Sequence, residues 1–198
     1  MTLMEPTGQA AEGSTTVGLD DALYGRRSIR QYTAEPVSQA DLRALIDAAI
    51  HAPNASNDQR WSFTVIRDRP LLDRLSDGAK AHMLTTSLSE RYRRSLADAT
   101  YDVFHGAPAL VVISASATDP WAVEDCALAS ENLMLAAFGR GLGTCWIGFA
   151  QRYVETEAGR ALLGLPAQSL PVATIVVGHP ASAPMQPERA APEIRWIG

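Results

Sequence analysis

The run Ala107-Pro108-Ala109-Leu110-Val111-Val112-Ile113-Ser114-Ala115 constrains this chain more than any other stretch. It has strand length and almost no polar break, which predicts a central strand buried on both faces. Both sides of the sheet that holds it must therefore be covered. The chain supplies the covers. Trp121 to Arg140 reads as a long helix, apolar over much of its surface, with Val123, Ala127, Ser130, Met134 and Ala137 as one stripe and Leu128, Leu135 and Phe138 beside it. Gly139, Gly141 and Gly143 end it. Ser38 to Ala52 reads as a second helix: Ser38 and Asp41 form a capping pattern, Leu42, Leu45, Ile46, Ala49 and Ile50 form a stripe, and Pro53 stops it.

Further strands are expected at Trp61 to Ile66, with Trp61, Phe63 and Val65 on one face, at Thr144 to Phe149 and at Val172 to Val177. Shorter helices are expected at Leu19 to Gly25, from Arg69-Pro70 towards Met83, at Thr85 to Thr100 and at Val154 to Leu163. Residues 180 to 192 hold four prolines and must be extended, and Glu193 to Ile197 has the makings of a final strand. Helices and strands mix without strict alternation, which points to an α+β fold with a sheet covered by helices. The extended tail suits packing along a partner subunit.

The 198 residues suffice for one domain, expected over 19–198, after a polar tail at 1–18 that lacks the basic and apolar regions of a signal peptide. No apolar run approaches membrane-spanning length. The expectation is a soluble cytoplasmic protein that binds neither membrane nor nucleic acid, since a net charge of −5 is the wrong field for a polyanion. Cys126 and Cys145 lack metal or redox spacing, and His51, His82, His105 and His179 are scattered, so no metal site is expected.

Against that acidic background Arg26-Arg27-Ser28-Ile29-Arg30 is a local positive island. Read alone it is surface charge. Read as a site, its guanidinium forks suit a phosphate and a second acceptor nearby. Arg26 and Arg30 share a side whether the segment is extended or helical; Ser28 joins them only if it is extended. A second stretch, Asn54 to Gln59, is rich in side-chain amides, which can read a ring edge of alternating donors and acceptors. A third, Gly141-Leu142-Gly143-Thr144-Cys145-Trp146-Ile147-Gly148, offers an apolar face and then backbone N–H groups at a glycine turn. Together they describe a flat ligand with polar edges that ends in a phosphate, and flavin mononucleotide (FMN) fits that description.

The sequence resembles the FMN-dependent nitroreductase family. The resemblance rests on Arg26 to Arg30, on Ala52-Pro53-Asn54-Ala55-Ser56-Asn57-Asp58-Gln59-Arg60-Trp61, on Gly141 to Gly148 and on Val177-Gly178-His179-Pro180, in the family's order. It implies a nitroreductase-like fold, a central mostly antiparallel or mixed sheet flanked by helices, in an interlocked homodimer with FMN at the interface. It implies ping-pong hydride transfer from NAD(P)H through bound FMN to a nitroaromatic, quinone or related small acceptor. Other flavin reactions on this fold (flavin destruction, dehalogenation, metabolite dehydrogenation) and a non-enzymatic flavin-binding protein are the alternatives.

By the same resemblance Arg26 and Ser28 look like phosphate and ribityl contacts, with Arg27 beside them. Arg30 looks like the cation at the N1/O2 edge, where charge gathers on reduction. Pro53, Asn54, Ala55 and Asn57 look like contacts from the partner subunit. Trp146 and Ile147 look like the packing face, and the N–H groups of Gly148 and Phe149 look like donors to N5/O4. Arg189 is the candidate for the family's C-terminal phosphate-binding base. No residue is marked as a catalytic acid or base. Tyr92, Tyr101, Phe104 and His105 belong to the segment that tends to line the substrate opening. The departures are Arg60 for a proline, Ser56 for a frequent glycine, and Phe149 for a second glycine, where it can narrow the site.

Overall fold

A computed structural model describes residues 17–198; most of the expected tail therefore lies outside the described residues. The helices are α1 (Leu19–Gly25), α2 (Gln39–Ile50), α3 (Arg69–Leu84), α4 (Glu90–Ala97), α5 (Ala122–Gly139), α6 (Gly148–Val154) and α7 (Glu157–Leu163). The strands are β1 (Ser62–Ile66), β2 (Ala109–Ser116), β3 (Gly143–Trp146) and β4 (Ser169–Gly178). The sheet runs β1-β2-β4-β3 and every neighbouring pair is antiparallel.

The apolar run becomes β2, inside the sheet and buried along nearly its whole length. Its side chains alternate between two cores. Val111 and Ile113 join Leu42 and Leu45 of α2 and Cys126 and Leu133 of α5 on one face. Leu110 and Val112 join Leu72 and Leu75 of α3, Leu96 of α4 and Val154 of α6 on the other. The sheet is thus a middle layer between two layers of helix. Pro171 lacks an N–H for the ladder, and the register between β2 and β4 shifts beside it, at Ile113/Ser114, as a bulge allows.

Several expectations are corrected. The stripe on α5 holds in part: Ser130, Met134 and Ala137 are buried as expected, together with Ala122, Cys126, Ala129 and Leu133, while Val123 and Leu128 are 56% and 45% exposed. A helix apolar almost all round has no phase that periodicity alone can identify. Val65 is exposed because β1 is an edge strand. The helix expected over Thr85 to Thr100 shrinks to α4, and that expected over Val154 to Leu163 begins only at Glu157, as α7, after the separate helix α6. Thr156 caps α7 by accepting from the Gly159 N–H at 3.1 Å, and Gly159 approaches the Tyr153 carbonyl so closely that a Cβ would lie 2.1 Å from it. Glu193 to Ile197 form no strand in the single chain; the tail beyond Pro180 is exposed.

The capping pair of α2 is present in modified form. The Ser38 hydroxyl accepts from the Asp41 N–H at 3.0 Å and donates to the Asp41 carboxylate at 2.6 Å. Among the described residues no helix is long and apolar enough to cross a membrane.

Candidate active site

After α1 the chain runs extended along β3. Ser28 forms a parallel bridge with Thr144, the Ile29 N–H donates to the Thr144 carbonyl at 2.9 Å, and Tyr32 bridges Pro180 beyond β4. The extended form decides the geometry left open by the sequence: Arg26, Ser28 and Arg30 share one side, and Ile29 is buried on the other. Two glycines permit this approach. A Cβ on Gly143 would stand 2.7 Å from the Ile29 side chain, and one on Gly178 would stand 2.7 Å from the Tyr32 ring. The Tyr32 hydroxyl donates to the Ile29 carbonyl at 2.8 Å, and burial pushes its pKa well above the usual phenol range.

Two cavities open on either side of Arg30. The first, of about 670 Å³, is lined by Arg26, Arg27, Ser28, Arg30 and the tail residues Met185 and Arg189. Arg26 also donates from Nε to the Glu131 carboxylate at 3.2 Å. Arg27 donates from Nη1 to the Arg26 carbonyl at 2.6 Å, while its Nε is buried without a partner among the described residues. This chamber is cationic, which suits an anion.

The second cavity, of about 630 Å³, has Arg30 in its wall with Trp146, Ile147, Gly148 and Phe149. The expected glycine turn after Trp146 is instead the start of α6, so Gly148 and Phe149 stand in its first turn, where N–H groups have no partner inside the helix. Ile147 is clamped at this junction: its N–H donates to the Thr174 carbonyl at 2.8 Å, and its carbonyl accepts the Thr174 hydroxyl at 2.6 Å. The Trp146 indole N–H is satisfied by Gln151 at 3.0 Å, leaving an aromatic body as wall. Phe149 meets Tyr92 of α4 edge-on at 5.5 Å, so it props that helix against α6.

Tyr92, Tyr101 and His105 line this second chamber; Phe104 does not, being fully buried in the core. His105 has a positive φ of 57°, with its ring 6.1 Å from that of Tyr101. Burial first, and the Arg30 guanidinium second, hold its imidazole below the usual histidine range. The loop is tied by Asp102, whose carboxylate accepts from the Phe104 and Gly106 N–H groups at 2.9 and 3.0 Å and from Arg69 at 3.1 Å. Burial alone would raise the Asp102 carboxyl, but these donors hold it below the usual range. Sequence reasoning missed Arg91, Ser95, Val103 and Cys145 in this wall. Only the basic character of Arg91 was visible beforehand. Burial pushes the Cys145 thiol up, so it is an apolar wall rather than a nucleophile.

Pro53, Asn54, Ala55 and Asn57 line neither chamber of the single chain. Their loop is held elsewhere, with the Ala55 N–H donating to buried Asp125 of α5 at 3.0 Å. Its backbone is left-handed at Ser56, Asn57 and Gln59, which explains the glycine expected at 56. Arg60 pairs with Asp58 at 2.6 Å. Among the described residues no group of three His, Cys, Asp or Glu side chains gathers to hold a metal ion.

Fold and cleft together define an α+β protein with a cationic chamber leading into an aromatic one at the β3 edge. A nitroreductase from Bacteroides fragilis, solved with bound FMN, has this fold: the two superpose with a TM-score of 0.79 at 27% identity, over 90% of this chain and 97% of that one. An Archaeoglobus fulgidus protein provisionally named NADH dehydrogenase/NAD(P)H nitroreductase is 32% identical over 163 residues, 80% of this chain and 83% of that protein. An NADH dehydrogenase from Thermus thermophilus is 30% identical over 180 residues, 81% of this chain and 85% of that protein. The nitroreductase family model matches residues 23–179. The chain belongs to the nitroreductase family.

Proposed function

We propose that this protein is an NAD(P)H-dependent FMN oxidoreductase that passes electrons to a nitroaromatic, quinone or related small acceptor. The observation that carries this reading is the shared wall: Arg30 borders both a cationic chamber and an aromatic one. A ligand with a phosphate at one end and a flat ring at the other spans such a pair. Arg26, Arg27 and Arg189 in the first chamber suit the anionic end.

In this reading Arg26, Arg27, Ser28 and Arg189 hold the phosphate and ribityl chain. Trp146 and Ile147 bear on the ring, and the first-turn N–H groups of Gly148 and Phe149 face its polar edge. Bound FMN supplies the redox chemistry, taking an electron pair from NAD(P)H and giving it to the acceptor. Arg30 stabilises the negative charge that reduction places at the ring edge. The clamp of Thr174 on Ile147 fixes the wall, and Tyr92 and Phe149 screen the chamber from water.

The site is completed by a second copy of the chain, whose Pro53, Asn54, Ala55 and Asn57 close it. Two features support a homodimer. The amide loop is pinned to α5 yet lines no chamber of its own chain. On α5 and its N-cap, Trp121, Val123 and Leu128 are exposed apolar side chains that a partner would cover.

A visible spectrum tests the reading. Purified protein supplied with FMN should show a bound-flavin spectrum that bleaches with NADH or NADPH under anaerobic conditions and returns with a nitroaromatic or quinone. Protein that takes up no flavin, or holds flavin that neither nicotinamide reduces, refutes it.

A further inference from the structure

Arg91 breaks a local rule. It occupies the first turn of α4, after Ser89, whose side chain makes no capping bond. That end of a helix favours acidic side chains. Neighbouring Glu90 obeys the rule and pairs with Arg94 at 3.8 Å. Arg93 is occupied by the Leu84 and Thr86 carbonyls at 3.3 and 3.4 Å. Arg91 has no ion pair among the described residues, and of the three arginines on α4 it alone lines the aromatic chamber. No carboxylate lines that chamber, although the protein is acidic overall. The Tyr92–Phe149 contact holds α4, and with it Arg91, in the wall.

Arg91 is exposed and lines the chamber, so its guanidinium fork is free to meet an anion that enters there. We propose that Arg91 is a specificity residue that binds a carboxylate on a flat aromatic acceptor lying in this chamber. The proposal rests on the flavin reading above, in which Arg30 is committed to the cofactor and Arg91 is the arginine left for the acceptor. The phosphates of the nicotinamide dinucleotide are the other source of such an anion, and the test separates the two.

The probes are para-nitrobenzoate and para-nitrobenzamide, which share shape and reducible group and differ in charge. Binding to the oxidised, FMN-loaded protein is read without turnover from the change in the flavin spectrum. Wild type should bind the nitrobenzoate tighter by about tenfold, the scale of one charge-assisted contact. Arg91→Ala and Arg91→Gln should abolish that preference while FMN content and nitrobenzamide affinity hold, Arg91→Lys should retain part of it, and added salt should weaken the nitrobenzoate alone. Equal affinities in wild type overturn the proposal, as does an equal loss for both probes in Arg91→Ala. Unchanged nitrobenzoate affinity in Arg91→Ala, with slower reduction by NADPH or NADH, overturns it in favour of the dinucleotide. Protein that binds no FMN overturns the flavin reading and this proposal with it.

Discussion

Arg30 stands between the two chambers, and its substitution should separate redox tuning from binding. Arg30→Ala should lower the flavin midpoint potential and slow reduction by NAD(P)H by about tenfold or more, with a smaller loss of FMN affinity. Arg26→Ala, which also releases Glu131, should do the reverse. A reference-dye titration and an FMN titration on both variants measure the split. Asp102 makes a second prediction. Its pKa is depressed in the folded protein, so its contribution to stability is full above the unfolded carboxylate value of about 4 and is lost as pH falls through the lower folded value. Urea unfolding should find Asp102→Asn less stable than wild type at pH near 7, with the gap narrowing towards about pH 3. The arginine cluster at 26–30 was legible as a site because the amide and Trp-Ile-Gly stretches accompany it in the family's order. Arg91 was not, because one arginine among the three of Arg91 to Arg94 carries no mark of which faces a cavity.

The junction of β3 and α6 organises the site, and the 26–32 segment docks on β3 through a glycine. Gly143→Ala places a methyl group 2.7 Å from Ile29 and 3.0 Å from Pro180. It should cost about 1–3 kcal/mol in denaturant unfolding and weaken FMN binding, because the arginine segment must move off β3. The sequence led to a strand at Thr144 to Phe149 that runs into a glycine turn, and β3 is Gly143–Trp146. The sequence did not show that the turn is a helix start, because Gly148-Phe149-Ala150 has neither a capping side chain nor helical periodicity of its own. For α4 a helix was expected over Thr85 to Thr100, and only its bounds were missed. Its polar residues carry little stripe, and the helix is held by one buried leucine, Leu96, and by the Tyr92 contact with Phe149.

Exposed apolar side chains on α5, and a tail that leaves Trp196 88% and Ile197 84% exposed, are the surface that the proposed dimer would cover. Sedimentation should show a dimer. Leu128→Asp should shift it towards monomer and lose FMN in parallel, since the amide loop would no longer reach the second chain's cleft; a dimer unchanged by the substitution would remove α5 from the interface. The sequence by itself determined the layered plan. One apolar run had to be an inner strand with helices over it, and the order of arginine, amide and Trp-Ile-Gly stretches carried the family. Those signals are local, written in periodicity and in adjacent residues; that α2 and α5 share one face while α3, α4 and α6 cover the other was not written there. Only the tertiary structure decided that 26–32 is extended, that Arg189 lines the same cavity as the arginine cluster from the far end of the chain, that Cys126, Ala129 and Leu133 join Ser130, Met134 and Ala137 on the buried side of α5, and that the amide loop stays out of its own chain's cleft. Each depends on contacts between residues far apart in sequence, which no local pattern encodes.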